Sequence, residues 1–168
     1  MTLAYIGLGG NLGDPRARIR EALRRIEERG LGRVTAVSSF WRTEPVGFAD
    51  QPWFVNGAAE IETALAPAEL MAGLLAIERE LGRPAERVKD GPRPIDLDLL
   101  LYGDAVIDEP GLTTPHPRMH RRRFALAPLA EIAPGLRHPR LRSSIAELLA
   151  ALTDPERVER AEPIGGPG

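Results

Sequence analysis

The chain has 168 residues, 43% hydrophobic and 27% charged, with a formal net charge of −2. That composition is ordinary for a folded globular protein and excludes a strongly basic nucleic-acid binder. Cysteine is absent, which excludes a disulfide framework and thiolate metal sites and suits a reducing cytoplasm. The N-terminus lacks a basic start, and no stretch approaches ~18 consecutive apolar residues, so neither export nor membrane insertion is expected.

Taken in chain order, Leu3 to Leu8 reads as a strand running into a glycine loop, Gly7-Leu8-Gly9-Gly10-Asn11-Leu12-Gly13. Leu12 stands where a dinucleotide fingerprint needs glycine, and no Lys-Ser/Thr follows, so neither that motif nor a P-loop is present. Asp14-Pro15 is a cap and first-turn proline, and the spacing of Ile19, Ala22, Leu23 and Ile26 predicts a helix to about Arg29, stopped by Gly30. Val34 to Arg42 is β-branched and aromatic and predicts one strand. A loop over 43–52 leads to a strand over 54–62, in which Phe54, Asn56 and Ala58 share a face. Leu70, Leu74, Ile77 and Leu81 predict a second helix after Pro67, with Glu78 beside its apolar stripe. The polar stretch 82–94 reads as a long loop rich in arginine.

Gly91-Pro92-Arg93-Pro94 then introduces Ile95-Asp96-Leu97-Asp98-Leu99-Leu100-Leu101, an aliphatic strand carrying two aspartates. Gly103-Asp104 predicts a hairpin turn into Val106-Ile107. Two further helices are expected, one reaching Ala133 and one over 144–152. The order β-α-β-β-α-β to Leu101 predicts an α+β, ferredoxin-like antiparallel sheet with helices packed on one face and C-terminal helices added, its last strand at an edge beside the first. One domain over 1–160 and a loose tail over 161–168 complete the expectation.

The chemistry concentrates in the aspartate strand. Residues two apart point to one face, so Asp96 and Asp98 project together, their Cα atoms roughly 6.6 Å apart, opposite Ile95, Leu97 and Leu99. Two oxygen ligands without cysteine favour a hard cation such as Mg²⁺, which takes its remaining ligands from water and substrate phosphates. Arg93, the arginines of 82–94 and the cluster Arg118, Arg121, Arg122 and Arg123 supply donors for a polyphosphate. His116 and His120 are four apart with Pro117 between them and no accompanying Glu, which argues against a zinc-protease motif; no Gly-x-Ser-x-Gly elbow is present. Residue types alone leave several phosphoryl and nucleotidyl transfers open.

Four segments, Tyr5 to Gly13, Ser38-Ser39-Phe40-Trp41-Arg42-Thr43-Glu44-Pro45, Gly91 to Asp98, and Thr114-Pro115-His116-Pro117, resemble 6-hydroxymethyl-7,8-dihydropterin pyrophosphokinases over residues 1 to about 135. The resemblance implies a ferredoxin-like fold and Mg-dependent transfer of pyrophosphate from ATP to the pterin hydroxymethyl group, a step of folate biosynthesis. It implies two Mg²⁺ ions on Asp96 and Asp98, with Arg93 and Arg122 assisting transfer. Thr43, Glu44, Val46, Phe54, Asn56 and Phe124 match the pterin site. Glu78, Arg83, Arg93, Leu99, Thr113, His116 and Arg122 match positions around the nucleotide. A cytoplasmic monomer acting on ATP and the pterin, without nucleic-acid or membrane partners, is the corresponding expectation. The chain departs from the family's frequent pattern at Asp90, where tryptophan often precedes Gly-Pro-Arg, at Leu75, where a polar ribose contact occurs, and in Arg87, which is out of register with a second loop arginine.

Overall fold

The computed structural model describes residues 1–45, 50–84 and 91–165. Its main sheet runs β1 (Thr2–Gly10), β2 (Arg33–Val37), β3 (Ser39–Thr43), β4 (Phe54–Thr63), β5 (Asp96–Tyr102) and a late strand β8 (Val158–Pro163), in the spatial order β5-β1-β4-β3-β8 with β2 also on β4. The pairings are antiparallel, and β5 lies at an edge beside β1 as the ferredoxin-like reading requires.

Helix α1 (Pro15–Glu28) starts where the Asp14 side chain accepts the Ala17 amide at 3.1 Å, and Gly30 turns out of it at φ +68. Helix α2 (Pro67–Glu80) begins on Pro67, with Glu69 reaching back to the Ala66 amide at 3.3 Å. Ile19, Leu23, Ile26, Leu70, Leu74 and Ile77 from these helices bury against Ile6, Leu8, Ile61, Leu97 and Leu99 of the sheet. Each such side chain, removed from water, contributes about 1.5–3 kcal/mol.

The opposite sheet face has its own smaller core. Helix α3 (Arg123–Ile132) and α4 (Ile145–Ala150) place Leu126, Leu129 and Ile145 on Tyr5, Ala58, Leu100 and Leu101. Helices therefore cover both faces, where the sequence predicted one face for the central pair. Between Tyr5 and Ile6 the pairing slips, Tyr5 meeting Leu101 and Ile6 meeting Leu99, so β5 carries one extra residue and Leu100 and Leu101 both serve this second core.

Several predicted elements are corrected. Gly7, Gly9 and Gly10 are strand residues of β1, and the turn is confined to the residues after them. The single strand over 34–42 is two, broken at Ser38, whose amide donates to the Ala58 carbonyl at 2.9 Å while its hydroxyl donates to the Ser39 carbonyl at 2.7 Å and accepts the Ala58 amide at 2.9 Å. The turn at Gly103 does not pair β6 (Ile107–Glu109) with β5; β6 forms a separate ribbon with β7 (Leu112–Thr114). Of the tail expected to be loose over 161–168, residues 161–163 complete β8 and pair with β3, and Ile164 is buried in the main core; 166–168 lie outside the described residues.

Candidate active site

The register across three strands builds the site. Asp96 and Asn56 both pair with Gly9, and Trp41 pairs with Asn56, so Asp96, Gly9, Asn56 and Trp41 form one row. Asp98, Gly7 and Ala58 form the next row, and Thr43 with Phe54 the row on the other side. Direct partners share a face, so the carboxylate pair, the amide and Phe54 stand on one surface. Glycine in the central strand keeps that surface open: a Cβ on Gly9 would come within 2.5 Å of Asn56 Oδ1. The strand glycines that looked like a loop are the floor of the site.

Asp96 is held by two arginines, Arg83 Nη1 at 2.5 Å and Arg93 Nη1 at 3.4 Å. The Arg83 side chain is 6% exposed and also donates to the Ile95 carbonyl at 3.2 Å and to Glu78 at 3.3 Å. Glu78 is buried and accepts the Leu97 amide at 2.7 Å, so one carboxylate of α2 fixes both the aspartate strand and the arginine. Burial pushes the Asp98 carboxyl up to about 8; Asp96 and Glu78 push the same way, and Arg122 and Arg83 oppose them. That displacement marks a carboxyl withdrawn from water beside two other acids.

Asn56, Phe54, Phe124 and Glu44 lie around this centre. Asn56 Nδ2 donates to Thr43 Oγ1 at 2.7 Å, which fixes the amide's orientation. The Arg93 guanidinium lies 5.4 Å from the Phe54 ring centroid, and Arg122 lies 5.3 Å from that of Phe124. Glu44 exchanges bonds with the chain at Arg157, its amide donating to the Arg157 carbonyl at 3.1 Å and its carboxylate accepting the Arg157 amide at 3.0 Å. Val46, Arg87 and Asp90 lie outside the described residues.

Thr113 and His116 line a cavity of about 420 Å³ with Asp108, His120, His138 and Arg140. His116 Nδ1 accepts the Arg118 amide at 3.2 Å; burial, Arg122 and Arg118 push its pKa down to about 4 against the pull of Asp96. The imidazole is thus neutral, with its proton on Nε2. The Leu99 side chain is 1% exposed inside the core, so only its backbone is available to a ligand.

Asn11 carried no assigned role in the sequence, yet its Oδ1 accepts the Arg93 amide at 2.9 Å and its Nδ2 donates to Gln51 and the Pro52 carbonyl, both at 2.9 Å. It ties the end of β1 to the two segments bearing Arg93 and Phe54. A buried amide at a glycine-rich strand end was the available signal.

Among the described residues no group of three or more His, Cys, Asp or Glu side chains is placed to hold a metal, and no helix is long and apolar enough to cross a membrane. Two carboxylates alone fit a cation that completes its shell from water and phosphate, which is how Mg²⁺ is bound.

The fold and this surface define a ferredoxin-like α+β protein whose acidic pair, arginines and amide–aromatic slot share one sheet face. Residues 5–134 match the family of 7,8-dihydro-6-hydroxymethylpterin-pyrophosphokinases, and the chain belongs to that family. The 2-amino-4-hydroxy-6-hydroxymethyldihydropteridine pyrophosphokinase of Pseudomonas aeruginosa is 48% identical over 147 residues, 88% of this chain and 90% of that one. The enzyme of the same name from Bacillus subtilis is 48% identical over 130 residues, 77% of each chain. Among solved structures, the Plasmodium falciparum HPPK-DHPS protein crystallised with pterin and p-hydroxybenzoate superposes with a TM-score of 0.71 at 16% identity. That match covers 89% of this chain but only 41% of the longer protein, and at that identity it speaks to the fold.

Proposed function

We propose that this pyrophosphokinase transfers the β,γ-diphosphate of ATP to the hydroxymethyl oxygen of 6-hydroxymethyl-7,8-dihydropterin. The alcohol oxygen bonds to the β-phosphorus, the bond from that phosphorus to the α,β-bridging oxygen breaks, and AMP leaves with the bridging oxygen; the alcohol proton passes to solvent. The observation that carries this reading is the adjacency of the Asp96–Asp98 pair and the Asn56–Phe54 slot on neighbouring rows of one sheet face.

The pterin ring slides between Phe54 and Phe124, where offset stacking suits a flat heteroaromatic. Asn56, its Nδ2 committed to Thr43, presents Oδ1 to the ring's N–H edge. The backbone of 43–45 completes that edge. Asp96 and Asp98 would hold two Mg²⁺ ions, which supply neutralisation of the polyphosphate and acidify the attacking alcohol. Arg93 and Arg122 offer forked donors to phosphate oxygens, Arg83 adds its charge from behind Asp96 on the nucleotide side, and neutral His116 donates from Nε2 without adding charge. Glu78 holds Arg83 and β5 in place, while Thr113 and the Leu99 backbone flank the nucleoside. In this reading the protein is a cytoplasmic monomer.

Incubation with ATP, Mg²⁺ and the pterin should yield AMP and pterin diphosphate in equal amounts. Pterin-dependent release of inorganic pyrophosphate would instead mean attack on the α-phosphorus, and the proposal would fall. Full activity in Asp96→Ala or Asp98→Ala would remove the metal assignment.

A further inference from the structure

Glu131 is the one acid in α3, a helix whose sequence is otherwise apolar after Arg123. It is half-buried and its carboxylate accepts from β3 in four places. The Ser39 amide reaches both oxygens at 3.0 Å, Ser39 Oγ reaches one at 2.8 Å, and Trp41 Nε1 reaches the other at 2.9 Å. Hydrogen bonds to a carboxylate are short and directional, and here the donors are set by a strand backbone and a large indole.

The other end of the helix is tied near the far end of the same strand. Arg123 donates to Asp154 at 3.2 Å and to the Leu152 carbonyl at 3.4 Å, and three residues beyond Asp154 the chain pairs with Glu44. The helix therefore runs antiparallel to β3. From Glu131 back to Phe124 is ~10.5 Å of helix, and from Ser39 to Thr43 is ~13 Å of strand. A helix pinned at Ser39 and Trp41 delivers Phe124 to the level of Thr43, whose register partner is Phe54. Packing of Leu126 and Leu129 on Tyr5, Ala58 and Leu100 drives α3 onto the sheet but is non-directional and does not choose a register along the strand. The four bonds to Glu131 do.

We propose that Glu131 is a positioning residue that sets the register of α3 along β3, and with it the separation of Phe124 from Phe54 in the ring-binding slot. This rests on the functional reading above. Trp41 is its partner: it pairs with Asn56 in the sheet, so one side chain links the anchor to the amide that reads the ring edge.

The test uses the full chain and two variants, Glu131→Gln and Trp41→Phe, with pterin affinity read by titrating pterin fluorescence in the presence of a non-hydrolysable ATP analogue, and KM for each substrate read by AMP formation. Glutamine keeps the length but turns N–H groups toward Ser39 and Trp41. Pterin affinity should weaken roughly tenfold in each variant, with the KM for ATP within about twofold of wild type, the pattern of lost ground-state binding. The double variant should be weaker than wild type by less than the product of the two single effects. Unchanged pterin affinity in either folded variant, or a fall in kcat with both KM values unchanged, would overturn the inference. Should Glu131→Gln not fold, Trp41→Phe carries the same readout. Wild-type protein that binds no pterin would sink the functional reading itself; wild-type binding with unaltered variants sinks this inference alone.

Discussion

Glu78 is the side chain whose loss should be felt most widely, because it is buried and serves two elements at once. Glu78→Ala strips an acceptor from the Leu97 amide and a carboxylate from Arg83, whose side chain is only 6% exposed. Arg83 keeps Asp96 as its counter-charge, so losing its bond to Glu78 costs about 1.5–3 kcal/mol, and the orphaned amide of β5 adds about 1–3 kcal/mol where water cannot reach it. Even the lower end is a large share of the ~5–15 kcal/mol that holds a domain together. Glu78→Gln separates the two effects, since it keeps an acceptor for Leu97 while removing the charge, and should lose about 1.5–3 kcal/mol. Urea unfolding at neutral pH, followed by circular dichroism, reads both variants. Because Glu78 also raises the Asp98 carboxyl, Glu78→Gln should lower the pH at which that group ionises. A loss below ~1 kcal/mol in Glu78→Ala would mean that the 2.7 Å bond to Leu97 does not organise β5, and the account of how the aspartates are presented would fail.

Three further outcomes follow from the same geometry. Gly9→Ala places a methyl 2.5 Å from Asn56 Oδ1, so the amide must turn away; the variant should fold, lose ~1–2 kcal/mol, and bind pterin roughly tenfold more weakly, while unaltered pterin affinity would show that Asn56 is not the reader. In metal-free protein the Asp98 carboxyl ionises more readily unfolded than folded, so its contribution to stability is complete below about 3.8 and lost as pH rises through about 8. Asp98→Asn should therefore be inactive yet gain ~2–3 kcal/mol over wild type at pH 9 in chelator, with little gain at pH 4, as denaturant melts will show. Glu156 is pushed up to about 7 by burial and then by Asp154, so its contribution is likewise present below about 4.5 and lost through about 7; Glu156→Gln should gain ~1 kcal/mol at pH 8 and nothing at pH 4, and a gain at both would refute the assignment.

What the sequence disclosed and what it withheld divide along the range of the interactions. The Asp-x-Asp pattern and the helical stripes of α1 and α2 are local periodicities, so the shared face of the carboxylates and the ferredoxin-like order were legible from spacing. Gly9 and Gly10 were misread because their reason for being glycine lies in other segments, in Asn56 Oδ1 and in the Pro94 carbonyl, each 2.5 Å from the Cβ that would be added, whereas a Cβ on Gly7 would meet only Leu100 at 3.5 Å. The break at Ser38 was invisible for the same reason: β-branched and aromatic residues flank it on both sides, and only its bonds to β4 show the Ser38 hydroxyl accepting the Ala58 amide that a strand carbonyl would otherwise take. The last strand escaped because a segment of Pro, Glu and Arg acquires strand character only from its neighbour β3.

These long-range ties explain why the candidate site sits where it does. A sheet face covered by α3 and α4 over one half is left open over the other, and the boundary passes through Phe124 at the start of α3. The acidic pair is anchored from below by Glu78, the slot's amide by Thr43, and the covering helix by Glu131. Apolar burial brings the layers together without choosing where along a strand they meet, and that choice falls to the few directed bonds. The paired carboxylates come from β5, Thr43, Asn56, Phe54 and Phe124 from β3, β4 and α3, and the arginines from the segments between them. Their common placement is therefore a property of three polar anchors rather than of any one segment, which is why substitutions at residues touching no substrate are the sharpest tests of the site.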